Sequence, residues 1–299
     1  MSFEITRACN ARCKHCHLGG PIPDEKRAAA DQYAEICRSA KAVVVQISGG
    51  EPLLRKDVEE IAHALSTKGR APFIVVTTNA ALLTPERYQR LREAGVDEFS
   101  VSLDYPDKRH DEFRGIPGLF DKIKELMAEL KNRGDSAVIL SCVVQNDNFR
   151  DLPAIARLAV DWGVRVNFST YTRLRTKDDN YMIPPKDLPE LKAISAQLLA
   201  IRKKHKTVFA SKYIFDRMIR FYENRGISGC KAGKRFWIVN PDGTLSPCGL
   251  IMGSYRTPKQ LQDDFLPRNQ CTECNTSIRA NCEKPVWHQI RDNVNTWLS

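Results

Sequence analysis

Six short apolar runs alternate with amphipathic stretches from the start of this chain to about Thr170, and that alternation limits its fold more than any other feature. The runs are 3–5, 43–48, 73–78, 98–103, 137–144 and 164–169. Several are continuous and rich in Val and Ile, the pattern of strands buried on both faces. Between them, Leu119, Ile123, Leu126 and Leu130 share one helical face, as do Leu152, Ile155, Ala159 and Trp162. Thr84-Pro85 reads as an N-cap and first-turn pair; Asp151 reads as a cap with Pro153 behind it. Repeated βα units predict a parallel sheet. Ligand sites in such sheets lie beyond the carboxyl ends of the strands.

After Tyr171 the alternation stops. Residues 171–187 are polar, carry Pro184-Pro185 and read as a loop or lid. Helices are expected over 188–205 and 213–223. Residues 228–285 are rich in Gly, Pro and Cys, with a hairpin expected at 236–239 and 244–247 around Asn240-Pro241-Asp242-Gly243. A last helix is expected over 286–298. These shifts divide the chain into 1–187, a helical linker 188–227 and a Cys-rich unit 228–299.

No apolar stretch approaches the roughly 20 residues of a membrane span. The first residues lack the basic and apolar regions of a signal peptide, so a cytoplasmic location is expected. In a reducing compartment the ten cysteines read as metal ligands rather than disulfides. Cys142, in a strand-like run, and Cys37, on a helical one, read as packing. The net charge of +10 suits an anionic partner or substrate. Its densest run, 202–206, reads as the solvated end of a helix.

Cys9, Cys13 and Cys16 have C-x3-C-x2-C spacing directly after the first strand-like run. Three thiolates this close can hold one compact cluster. A cube held by three keeps one iron open, whereas four thiolates would close it. His15 and His17 among them leave zinc open as the alternative. Gly49-Gly50-Glu51-Pro52 follows the second run. Two glycines let backbone approach a ligand closely, and Glu51 can offset a positive charge.

Together the two motifs resemble the radical S-adenosylmethionine (SAM) superfamily. The resemblance implies an open partial (β/α)6 barrel and a [4Fe–4S] cluster on Cys9, Cys13 and Cys16, with SAM on the open iron. His15 falls where the family places an aromatic near the adenine, and Gly49, Gly50, Glu51 and Pro52 where it meets the methionine ammonium. Ser102 and, twelve residues on, Arg114 resemble the pair that holds the SAM carboxylate in members carrying a SPASM or twitch extension. A guanidinium fork suits a carboxylate. Asp104 and Asn79 are expected beside them, as substrate contacts or as turn caps.

Cys230, Cys248, Cys271, Cys274 and Cys282 resemble that extension and imply one auxiliary [4Fe–4S] cluster. Cys282 is left as either one of its ligands or a free thiol. The reading is an enzyme that cleaves SAM reductively and abstracts hydrogen from a small anionic metabolite, with the auxiliary cluster as electron acceptor or relay. Flavodoxin or ferredoxin is the expected electron donor. With Cys9 so near the start, no fused peptide-recognition unit is expected before the barrel; a peptide maturase using a separate recognition protein is the alternative. A zinc-knuckle nucleic-acid-binding protein is a third reading, but the basic residues do not mass on one element.

Overall fold

The structure is a computed structural model, and it describes residues 1–67, 71–135 and 137–288. Each expected βα unit is present. The strands are β1 (Ser2–Thr6), β2 (Val44–Gly49), β3 (Phe73–Thr78), β4 (Glu98–Ser102), β5 (Val138–Val144) and β6 (Arg165–Thr170). Helices α1 (Ala30–Ser39), α2 (Val58–Leu65), α3 (Pro85–Glu93), α4 (Arg109–Arg114), α5 (Leu119–Asn132) and α6 (Leu152–Trp162) connect them. Neighbouring strands pair in parallel in the order β6-β5-β4-β3-β2-β1. The sheet stays open, as a partial barrel does.

Helix starts follow local chemistry. Thr84 accepts from the Arg87 N–H at 3.2 Å with Pro85 behind it, a cap that stabilises by about 1 kcal/mol. Asp151 departs from expectation. Its carboxylate makes no cap; it takes both Nη atoms of Arg109 at 2.9 Å, because a guanidinium on the neighbouring helix outcompetes a single backbone N–H.

The helices bury the apolar stripes read from sequence, including Leu119, Ile123, Leu126 and Leu130, against the outer side of the strands. The inner side differs from expectation. It is mixed rather than uniformly apolar: Gln46, Ser48, Thr77, Ser100, Ser102, Ser141, Asn167 and Ser169 line a cavity beside Val44, Val75, Ile139 and Val143. Successive side chains point to opposite faces, so the alternate residues Val45, Ile47, Val76, Val101, Leu140 and Val166 are buried on the helix side.

Helices α7 (Leu188–His205) and α8 (Lys212–Asn224) follow β6. The expected hairpin forms as β7 (Ile238–Val239) and β8 (Leu245–Ser246). It extends the main sheet, with β7 parallel to β1 through Ser2↔Ile238 and Phe3↔Val239. Two short helices, α9 (Pro258–Phe265) and α10 (Ser277–Cys282), complete the C-terminal region. The expected helix 286–298 lies outside the described residues beyond His288.

Segment 171–187 is a wall rather than a free lid. Tyr171, Met182 and Ile183 are buried. Thr172 Oγ1 donates to the Glu273 carbonyl at 2.9 Å, and the Tyr171 hydroxyl donates to the Asp178 carbonyl at 3.0 Å. Apolar anchors within a polar sequence hold it down.

Candidate active site

A cavity of about 940 Å³ opens at the carboxyl ends of the strands. Cys9, Cys13 and Cys16 line it, as do Gly49, Gly50, Asn79, Ser102, Arg114 and all five C-terminal cysteines. Every one of the ten cysteines is a free thiol.

The first cysteine loop is held by backbone. Gly50 N–H donates to Thr6 O at 2.8 Å and Glu51 N–H to Ala8 O at 2.9 Å. From the other side, Arg12 N–H donates to Arg114 O at 2.9 Å and Lys14 N–H to Phe113 O at 3.1 Å. The glycines permit this approach. Gly49 sits at φ +140°, and a Cβ there would lie 2.0 Å from Thr6 O. A Cβ on Gly50 would lie 2.2 Å from Ala8 O and 2.5 Å from Arg7 O. Backbone cannot swing aside as a side chain can. Gly50→Ala is therefore expected to cost about 2 kcal/mol or more and to lower iron uptake on reconstitution, measured as iron per chain; wild-type uptake would refute this.

Glu51 is completely buried and turned into the protein. Its carboxylate accepts from Leu53 N, Thr78 Oγ1 and Asn79 N at 2.8–3.1 Å. Burial pushes its pKa up, opposed by those three donors. Pro52 starts the short 3-10 turn that follows. Glu51 thus shapes the site through the backbone it ties to β3. Asn79 extends the tie, its Nδ2 donating to Asn10 Oδ1 of the cysteine loop at 2.8 Å.

His15 is buried and stacks on Phe113, with ring centroids 4.8 Å apart. Burial holds its pKa down to about 3, so the ring is neutral. Among the described residues its Nδ1 has no hydrogen-bond partner. Ser102 ends β4 at the cavity.

Arg114 is buried beneath Cys13. Its Nε and Nη2 donate to Asp104 Oδ2 at 2.8 and 2.5 Å, and Nη1 lies 3.6 Å from Cys13 Sγ. Asp104 Oδ1 accepts from Val143 N at 3.0 Å. Burial alone would raise the Asp104 pKa; the guanidinium overrides it and holds the carboxyl below the usual range. Asp104 is an anchor for Arg114 and does not line the cavity.

Among the C-terminal cysteines, Cys230 and Cys271 share a hydrogen bond, which lowers the Cys271 pKa to about 7. Cys248 feels the charges of Cys274 and Cys230, and Cys271 those of Cys274 and Cys248. Cys282 lines the same cavity and feels the amino terminus, Glu283 and Arg235. Among the described residues no group of His, Cys, Asp or Glu is drawn together as a single metal ion requires.

Sequence reasoning missed several cavity residues. Glu4, Gln46, Glu98, Ser141, Arg165 and Asn167 line it from the strands, and Arg175 from the wall. The signal was polar residues at period two within runs read as apolar.

Residues 3–159 match the Radical SAM superfamily. The chain belongs to that superfamily. The chain is similar to the AdoMet-dependent heme synthase of Nitratidesulfovibrio vulgaris, at 27% identity over 84% of this chain and 73% of that protein. It is also similar to a protein named "Probable GTP 3',8-cyclase" of Methanococcus maripaludis, at 28% identity over 82% of this chain and 83% of that protein. In fold it resembles Streptococcus suis SuiB bound to S-adenosylmethionine, with TM-score 0.67 and 17% identity over 89% of this chain and 64% of SuiB. A radical SAM enzyme implies a [4Fe–4S] cluster and SAM, and the zinc-knuckle nucleic-acid reading falls. Three free thiols on one loop, at the mouth of a cavity with two glycine backbones and an arginine beside it, suit that pair of cofactors. Among the described residues no helix is long and apolar enough to cross a membrane.

Proposed function

We propose that this radical SAM enzyme oxidises a small metabolite carrying carboxylate or phosphate groups, using a second iron–sulfur cluster as electron acceptor. The observation that carries the reading is the shared cavity: Cys9, Cys13 and Cys16 line it together with Cys230, Cys248, Cys271 and Cys274. A substrate between the two sets is within reach of both. Relatives named for heme and for GTP support an anionic small molecule.

In this reading Cys9, Cys13 and Cys16 hold the SAM-binding cluster. When bound and reduced, it supplies the electron that splits SAM into methionine and a 5′-deoxyadenosyl radical. Gly49 and Gly50 present backbone to the SAM ammonium. Ser102 and Arg114, whose Nη1 lies against Cys13 Sγ, would face its carboxylate, and neutral His15 would flank the adenine. With both cofactors bound, such an oxidation would take one hydrogen atom and one electron from the substrate and release a proton or carbon dioxide to solvent. The cavity wall excludes water. Residues 1–187 form the core, 188–227 a helical linker and 228–299 the twitch-like unit. Arg12 and Lys14 are exposed beside the first cysteines, a surface suited to an acidic flavodoxin or ferredoxin.

Iron content tests the ligand sets. Anaerobically reconstituted wild type is expected to hold about eight irons per chain, two cubes, and to form 5′-deoxyadenosine on reduction with SAM. Cys271→Ala is expected to retain about four, whereas Cys282→Ala keeps the wild-type count. A wild type with four irons would remove the second cluster, and loss of iron from Cys282→Ala would put Cys282 among its ligands.

A further inference from the structure

We infer that Arg175 is the receptor for a substrate oxyanion, a carboxylate or phosphate held between the two cysteine sets; this rests on the function proposed above and names the residue that selects its substrate. Three arginines line the cavity, and two are committed. Arg114 is bound to Asp104 at 2.5 Å, and Arg165 is paired with Glu98 on the barrel floor. Among the described residues no carboxylate lies within ion-pair distance of Arg175, although its charge acts on buried Glu4 in the same cavity. Only its Nη1 is engaged, 3.8 Å from Cys16 Sγ, so Nε and Nη2 are left for a ligand.

Its position gives those donors their use. Arg175 sits on the wall segment that bridges the two cysteine sets. At one end of that turn, Thr172 and Arg173 bind Glu273 through its carbonyl at 2.9 Å and its carboxylate at 3.2 Å, and Glu273 lies between Cys271 and Cys274. At the other end Arg175 reaches Cys16. A molecule that loses hydrogen near the first set and an electron near the second must pass this guanidinium. A planar fork of N–H donors, partly shielded from water, selects an oxyanion over a neutral or cationic group. The SAM carboxylate has other donors in Ser102 and Arg114, on the far side of Cys13.

Binding to the anaerobic two-cluster protein tests this, with heme as the carboxylate probe, GTP as the phosphate probe, and SAM titrated separately. Arg175→Gln is expected to weaken heme or GTP by about tenfold or more, the loss of one charge-assisted pair. Arg175→Lys should recover part of that loss, and SAM affinity and iron content should stay at wild-type values. A loss for heme alone assigns a carboxylate source, and a loss for GTP alone a phosphate source. Weakened SAM with unchanged heme and GTP would overturn the inference and move Arg175 to the SAM subsite. Unchanged binding of all three would overturn it outright. A wild type that binds neither heme nor GTP would overturn it together with the anionic substrate class, whereas a wild type with one cluster would fail the proposed function alone.

Discussion

Cys13→Ala protein, reconstituted without oxygen and reduced in the presence of SAM, is expected to form no 5′-deoxyadenosine above background. Cys13 is the most buried of the first three cysteines. It sits over the Arg114 guanidinium, 3.6 Å from Nη1, and removing it leaves two thiols for a cube that normally takes at least three. Loss of cluster and loss of cleavage should therefore coincide, read as iron per chain and as deoxyadenosine by chromatography. Cys37→Ala is the control. Cys37 is buried on α1 and does not line the cavity, so this variant should cleave SAM as wild type does. Normal cleavage by Cys13→Ala would overturn the assignment of the first cluster.

The largest effect on stability is expected from Asp104→Ala. Asp104 is completely buried and Arg114 nearly so. Truncation strands a buried guanidinium and leaves the Val143 N–H without its acceptor. Breaking such a pair from one side costs about 3–5 kcal/mol, measured as the shift in a urea unfolding curve with the wild-type slope. The same change should loosen the cysteine loop, because the carbonyls of Phe113 and Arg114 hold Lys14 and Arg12. The pH dependence has a definite sign. Burial raises the Asp104 pKa, but Arg114 overrides it and the folded value is depressed. The pair's contribution is therefore full above the unfolded carboxylate pKa and is lost as pH falls through the depressed folded one. A loss below about 1 kcal/mol, or an unfolding curve in Asp104→Ala with wild-type acid sensitivity, would show that the pair does not anchor the loop.

Much of the scaffold was legible because it is written in local pattern. Leu119, Ile123, Leu126 and Leu130 recur at helical spacing and do pack inward. Thr84-Pro85 starts α3 as it would in an isolated peptide. The spacing of Cys9, Cys13 and Cys16 and the Gly49-Gly50 pair are likewise local signals. Asp151 was misread because a distant guanidinium, Arg109, competes for the same carboxylate. Segment 171–187 is the loop its polarity suggested, but the sequence did not show that Tyr171, Met182 and Ile183 bury themselves and anchor it.

The sequence by itself determined the parallel βα order, the first cysteine loop with its glycine turn, and the membership that these motifs carry. Those depend on residues near one another in the chain, where spacing translates directly into geometry. Tertiary structure alone decided that Arg114 faces Asp104, that Glu51 turns inward onto β3, and that all five C-terminal cysteines share one cavity with the first three. It also decided that Arg175 reaches Cys16 across 159 positions. Partner choice by a charged or polar side chain is set by which groups folding brings within about 3 Å and away from water, and no spacing along the chain encodes that.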